Sequence, residues 1–137
     1  MATPDGARLL EELTAKRGYV LDMHRVLAEA DPSFLQAYED FLGQAYLGQR
    51  TLDRRTKELI YVAVLTALSA PRAHLIAHIE AALAAGATPS ELLEVLEQIM
   101  PPAGVPRFIE GIDAWRECCA AADGSLPSMT DHEGEPH

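Results

Sequence analysis

Two histidines four residues apart, His74 and His78, stand in the segment SAPRAHLIAH with only apolar residues between them. On a helix, residues at this spacing share one face, so both rings can reach one ligand. Two kinds of chemistry suit such a pair: metal binding, and proton transfer, because the ordinary pKa of histidine lies near neutrality. The structural alternative is a pair of rings hydrogen-bonded at a helix start or at an interface.

A metal site at this pair would need at least a third ligand. The HxxxH spacing lacks the glutamate of HExxH, the pattern by which a zinc site is recognised in a sequence. Glu58 or His24 would complete a ligand set only through the tertiary fold. We therefore predict no bound metal, keep metal binding as an alternative function, and favour acid/base chemistry for the pair.

Glu58 precedes a long uncharged stretch, Leu59 to Pro71, and is the second candidate. The helix dipole favours a carboxylate in a first turn, which is a purely structural reason for its position. Partial burial would raise its pKa and suit it to proton transfer. In a helical hairpin that turns near Ala70, Glu58 lies about 17 Å and His78 about 11 Å from the turn, so the two residues lie at different heights along the hairpin. Direct contact then requires a crossing angle, a longer turn or a neighbouring subunit.

Two further residues are candidates for substrate binding. His24 lies in an apolar stripe with Val20, Met23 and Leu27, a position more typical of a core histidine. Arg107 follows a segment rich in proline, and its planar guanidinium would hold a substrate carboxylate. The alternative for Arg107 is a solvated surface arginine.

The cysteines and the charge balance exclude several classes of protein. Cys118 and Cys119 are adjacent, which rules out an extracellular disulfide framework and offers no CxxC redox motif. The net charge of −10 argues against nucleic-acid binding and against a polybasic membrane anchor. No signal peptide is visible, and the uncharged stretch is shorter than the roughly twenty residues of a membrane span. We predict a cytoplasmic protein that binds neither nucleic acid nor membrane.

The elements that position these residues are predicted to be helices throughout. Alanine and leucine dominate, and glycine, proline and capping residues separate the apolar periodic segments. The predicted helices cover residues 5–17, about 20–29, a segment from Pro32 towards Gly48, a segment from Asp53 to about Ser69, a segment from Pro71 to Gly86, a segment after Thr88, and a last one that contains Phe108 and Cys119. A rigid loop is predicted over 101–106. The fold class is a compact all-α bundle of about seven helices, with residues 1–122 as one domain and 123–137 as a disordered acidic tail.

The pieces LDRRTKELI, HIEAALAAGATPSELLEVL and GVP, within residues 51 to 117, resemble the carboxymuconolactone decarboxylase family, which includes the alkylhydroperoxidase-D-like proteins. The resemblance implies a helical hairpin that builds the site, in subunits that form trimers or hexamers. In the peroxidase branch a glutamate, a CxxC and a histidine form the site. His78 matches that histidine, and Glu58 matches that glutamate if this chain has one extra residue near Ser69. Pro71 and His74 then stand at the positions of the two cysteines. Thiol peroxidase chemistry is therefore disfavoured.

The decarboxylase branch also lacks the CxxC and acts without a metal or an organic cofactor. By this resemblance, the chain is expected to be a cofactor-independent enzyme that decarboxylates or isomerises a small carboxylated, lactone-type compound. His78 would be the acid/base, Glu58 its orienting partner and His74 a second donor, with Arg107 and His24 as candidates for substrate binding. A non-catalytic binding or assembly protein on the same scaffold is the alternative.

Overall fold

The computed structural model describes residues 4–119 of the chain. Within that range the chain forms seven α-helices and no strand, which confirms the predicted all-α class. The helices are α1 (Pro4–Arg17), α2 (Asp22–Ala30), α3 (Pro32–Leu42), α4 (Arg54–Ala67), α5 (Arg72–Ala84), α6 (Pro89–Ala103) and α7 (Val105–Cys119). The predicted acidic tail, 123–137, lies outside the described residues, and the single domain over 1–122 stays a prediction.

Most helix ends lie where the capping residues indicate. Asp31, Asp53 and Thr88 each accept a hydrogen bond from the backbone N–H three residues further on, at the starts of α3, α4 and α6. These caps satisfy one of the free donors at each helix start. Gly18 and Gly86 follow α1 and α5 in the left-handed region, at φ +82° and +99°. Glycine adopts this conformation without strain.

The predicted loop over 101–106 is wrong. Pro101 and Pro102 belong to the last turn of α6, which continues to Ala103. A proline φ of about −65° fits helical geometry, so prolines are tolerated where few hydrogen bonds are lost. Gly104, at φ +91°, ends the helix, and its N–H donates to the carbonyl of Met100 at 2.8 Å. Helices α6 and α7 are therefore joined by this single residue.

A five-residue π-helical turn, Gly43–Leu47, extends α3. It carries Tyr46, which is buried. The amine of Lys57 donates to the carbonyl oxygens of Gly48 at 2.8 Å and Tyr46 at 3.3 Å, so the turn is held from α4. A Cβ atom on Gly48 would lie 2.7 Å from the carbonyl oxygen of Gly43, so glycine is required there. The turn thereby fixes a tyrosine in the protein interior.

The buried apolar residues form two clusters. One belongs to α4–α7 and includes Val62, Ile79, Leu92 and Leu96, and the other belongs to α1–α3 and includes Leu35. No helix within residues 4–119 combines the length and apolar character needed to span a bilayer. A cavity lined by residues from both the N-terminal helices and the α4–α5 hairpin contains the candidate site.

Candidate active site

Glu58 on α4 and His78 on α5 are in direct contact. The carboxylate oxygen Oε2 of Glu58 lies 2.7 Å from Nδ1 of His78, and both side chains are buried. The offset of about 6 Å along the hairpin, at 1.5 Å per residue, is bridged by the lengths of the two side chains. The pair therefore forms within one chain and needs no neighbouring subunit.

The second oxygen of Glu58 is held by two donors. The hydroxyl of Tyr46 donates to Oε1, and Nε of Arg54 donates to the same atom at 2.6 Å. Burial alone would raise the pKa of Glu58, but the hydrogen bonds from His78, Tyr46 and Arg54 lower it below its ordinary value. The expectation of a raised pKa is therefore wrong, because it ignored these donors. Glu58 is ionised at neutral pH.

The contacts of His78 fix which ring nitrogen carries the proton. An ionised carboxylate only accepts hydrogen bonds. Nδ1 of His78 therefore carries the ring proton and donates a hydrogen bond to Glu58. In the neutral ring Nε2 then holds the lone pair, and the hydroxyl of Tyr19 donates to it at 3.2 Å. The rings of Tyr19, Tyr46 and Tyr61 pack edge-on against the imidazole, with centroid distances of 5.2–5.7 Å. His78 is thus held as an oriented base.

The cavity beside His78 has a volume of about 160 Å³. An apolar cavity of about 150 Å³ binds benzene, so this one suits a molecule the size of one ring. All four tyrosines of the chain contribute to its wall, together with three histidines. The lining residues are Arg17, Tyr19, Leu21, Met23, His24, Tyr38, Leu42, Tyr46, Tyr61, Leu65, His74 and His78. Neither Glu58 nor any other acidic residue of 4–119 belongs to this lining.

His74 lies next to His78 on this wall, with the ring centroids 5.2 Å apart. Its side chain makes no hydrogen bond within residues 4–119. Burial and the neighbouring His78 lower the pKa of His74, so the ring is neutral at pH 7. Within the same range, no group of three or more His, Cys, Asp or Glu side chains is arranged to hold a metal ion.

A second buried polar cluster adjoins the cavity and consists of Arg17, His24 and Glu39. The guanidinium of Arg17 is hydrogen-bonded to Oε2 of Glu39, and its Nη1 lies 2.9 Å from Nε2 of His24. Nδ1 of His24 accepts a hydrogen bond from the backbone N–H of Leu21 at 2.9 Å. Burial and the nearby guanidinium lower the pKa of His24 to about 4. His24 is thus buried, as its apolar stripe predicted, and its ring also lines the cavity.

The model of the carboxymuconolactone decarboxylase family matches residues 32–117. The chain belongs to this family. A provisionally named carboxymuconolactone decarboxylase from Burkholderia xenovorans LB400 has the same fold, with a TM-score of 0.71 at 20% identity over 82% of this chain and 92% of that one. No curated protein matches the chain. The family assignment confirms the resemblance seen in the sequence.

Residues Glu58, His74 and His78 lie inside the family-matched segment, and the structure brings them together. Arg17, Tyr19 and His24 precede that segment, yet they line the same cavity. Sequence reasoning missed the roles of Arg17, Tyr19, Tyr46 and Glu39. One signal was available: tyrosine is scarce in this chain, and every tyrosine lines the cavity.

The remaining candidates lie away from this cavity. Arg107 is on α7, with 43% of its side chain exposed and Nη1 4.0 Å from Glu110, and it is not part of the cavity wall. Cys118 and Cys119 end the same helix, and burial raises the pKa of both thiols, that of Cys118 to about 11. Thiols with raised pKa values are poor nucleophiles. This is the opposite of what the peroxidase branch of the family requires.

Proposed function

We propose that the protein is a cofactor-independent enzyme that decarboxylates or isomerises a small carboxylated, lactone-type compound. The observation that carries the proposal is the Glu58–His78 pair beside a ring-sized cavity. A buried carboxylate on Nδ1 fixes the tautomer of His78 and stabilises the imidazolium that forms when Nε2 takes a proton. Family membership supports the same class of chemistry.

In the decarboxylation, the bond between the carboxylate carbon and the ring breaks, and carbon dioxide leaves. The electron pair passes into a conjugated carbonyl group and gives an enolate, which donors in the wall stabilise. Nε2 of His78, protonated by solvent water before this step, then donates that proton to the carbon, so each turnover consumes one solvent proton. In the isomerisation, neutral Nε2 removes a proton from one carbon and delivers it to another. Tyr19 and His74 are the nearest additional donors in the wall.

A non-catalytic binding protein would satisfy the histidine pair with backbone groups. Here His78 bonds only to side chains, and His74 makes no hydrogen bond within residues 4–119. The unbonded ring of His74, and a His78 Nε2 whose partner is a tyrosine hydroxyl that a ligand can displace, favour the enzymatic alternative. His24, whose Nδ1 is bonded to a backbone N–H, is the contrasting case.

The test is release of carbon dioxide from carboxymuconolactone and related carboxylated lactones, together with proton exchange into the substrate in heavy water. We expect His78→Gln and Glu58→Gln to lose at least about a hundredfold in turnover. Glu97→Gln, on the exposed side of α6, is the matched control and should keep wild-type rates. Full turnover by His78→Gln would sink the proposal, and so would a wild-type protein inert toward every such lactone.

We also propose that the chain works as a cytoplasmic homo-oligomer, a trimer or a hexamer. Support comes from Ile60 and Val64 on α4 and from Leu68 directly after it, which recur every four residues and are 43–71% exposed. A continuous apolar stripe on a central helix is favoured where another subunit covers it. Val64→Glu should dissociate the assembly in analytical ultracentrifugation. A wild-type protein that sediments as a monomer would contradict this proposal.

A further inference from the structure

The cavity wall carries a charge of one sign only. Arg17 is the one lining residue within 4–119 with a permanent charge, and the two glutamates of the buried clusters, Glu39 and Glu58, are not part of the lining. His24 and His74 are neutral at pH 7, because their pKa values are lowered. A cavity with this wall is complementary to an anion, even though the protein as a whole is acidic.

Arg17 and His24 present a hydrogen-bonding conflict. A neutral imidazole has one acceptor nitrogen and one N–H donor. The backbone N–H of Leu21 occupies the acceptor position Nδ1, so Nε2 carries the proton and faces another donor, Nη1 of Arg17, at 2.9 Å. Oε1 of Glu39 lies 3.9 Å from Nε2, which is beyond hydrogen-bonding distance. Two N–H donors therefore converge without an acceptor between them.

The same cluster has further unused hydrogen-bonding capacity. Nε of Arg17 and Oε1 of Glu39 are buried and have no hydrogen-bond partner within residues 4–119. Arg17 and Glu39 are almost wholly buried, with side chains 2% and 6% exposed. Buried polar groups are nearly always paired, and an unpaired one costs free energy. An acceptor within hydrogen-bonding distance of this Nε would recover part of that cost.

We propose that Arg17 and His24 form the binding site for the carboxylate group of the ligand, with Glu39 holding Arg17 in position. Each carboxylate oxygen accepts one hydrogen bond, from Nη1 of Arg17 and from Nε2 of His24, which resolves the conflict between the two donors. Glu39 bonds the guanidinium outside the cavity lining and does not compete for that position. The ligand is a carboxylate about the size of one ring.

This inference rests on the proposed function only in placing the ligand in the same cavity. It adds a division of roles between two parts of the chain. The family-matched segment supplies the proton-transfer pair, while the anion site is formed by α1 and α2, before residue 32. Members of the family that differ in this N-terminal part would then run related chemistry on differently charged ligands.

The test is calorimetric titration of the full chain with benzoate and with benzamide, a neutral molecule of the same shape. The wild type should bind benzoate at least about tenfold more tightly, because charge-assisted hydrogen bonds are stronger than neutral ones. Arg17→Met should lose this preference, and Arg17→Lys should keep only part of it, since lysine lacks the planar fork. Arg8→Met, an exposed arginine of the same helix, is the matched control and should behave as wild type.

Two measurements separate this inference from the proposed function and from misfolding. His78→Gln should still bind benzoate more tightly than benzamide by about the wild-type ratio, whatever its turnover and its absolute affinity. In the unaltered protein, the Nε–H signal of Arg17 in NMR spectra should shift with benzoate and not with benzamide. The inference is overturned if the wild type shows no preference for benzoate. It is also overturned if the preference survives in Arg17→Met, or is lost in His78→Gln or Arg8→Met.

Discussion

Two clusters with the same three residue types adjoin one cavity. They differ in which donor and acceptor atoms are already hydrogen-bonded and which remain unpaired. In Arg54–Glu58–His78 both carboxylate oxygens are bonded, and the acceptor of the histidine is Nε2, whose partner is the Tyr19 hydroxyl in the cavity wall. In Arg17–Glu39–His24 the histidine acceptor is already used by a backbone N–H, and donors remain unmatched. The first arrangement suits proton transfer, whereas the second suits anion binding.

Residue composition alone therefore does not assign a role to a buried cluster. The deciding detail is the partner of Nδ1 in each histidine. A carboxylate on Nδ1 leaves a base at Nε2, while a backbone donor on Nδ1 leaves a proton there.

The largest expected effect comes from exchanging the two histidines for glutamine, one at a time. His78→Gln removes the base, so kcat should fall by roughly 10²–10⁴. His24→Gln should leave kcat within a few-fold and raise KM for carboxylated substrates. Steady-state kinetics on each variant provide the measurement. Equal losses of kcat in both variants would remove the distinction between the clusters.

Stability provides the next comparison. Arg17→Met leaves Glu39 buried without its ion-pair partner, so the free energy of unfolding should drop by about 3–5 kcal/mol. Removing both charges, in Arg17→Met/Glu39→Met, should restore most of that loss, because no unpaired charge remains. Urea denaturation measures both variants. A double variant no more stable than the single one would indicate that the pair contributes through packing instead.

The N-terminal cluster should also give the protein a pH-dependent stability. The pKa of His24 falls from 6.5 to about 4 on folding, since burial and Arg17 disfavour the charged ring. Between these values the unfolded chain binds a proton that the folded one does not, so acidification from pH 6.5 to 4 should cost about 2–3 kcal/mol. Arg17 and Glu39 face this ring, as does His74 more remotely.

Urea denaturation at a series of pH values measures this effect. His24→Gln should flatten the profile of unfolding free energy against pH between pH 6.5 and 4.

The Arg54–Glu58–His78 cluster contributes to the pH dependence of stability at lower pH. The lowered pKa of Glu58 stabilises the folded state above the ordinary glutamate pKa, and that contribution is lost as the pH falls through the folded value. A profile unchanged by His24→Gln would show that another group carries the dependence.

The sequence predicted the fold better than it predicted the site. Capping residues and glycines are local signals, and they placed most helix ends because their partners lie three or four residues away. Glu58, His74 and His78 were found because one helical hairpin carries all three. The prediction at Pro101 and Pro102 was wrong because proline was taken as a helix breaker, whereas in the last turn of α6 each proline removes only its own N–H donor.

Arg17, Glu39 and Tyr19 were missed for the opposite reason, because their partners are far away in the chain. Arg17 bonds a residue 22 positions away, and Tyr19 one 59 positions away. Arg17, as a basic residue in the last turn of α1, looks like an ordinary dipole partner in the sequence. Arg107 was predicted to bind substrate because it follows a proline-rich segment, yet it lies outside the cavity wall. Long-range polar pairs become visible only after the helices are packed.

The smallest expected effect tests how much redundancy holds Glu58. Tyr46→Phe removes one donor from Oε1 while Arg54 and His78 keep their bonds to the carboxylate, so the free energy of unfolding should fall by only about 1 kcal/mol. Tyr61→Phe is the control, because its ring packs on His78 but its hydroxyl makes no hydrogen bond within residues 4–119. That variant should stay within about 0.5 kcal/mol of wild type in urea denaturation. A loss of several kcal/mol in Tyr46→Phe alone would mean that the π-helical turn, and not the redundancy of donors, decides the geometry of the proton-transfer pair.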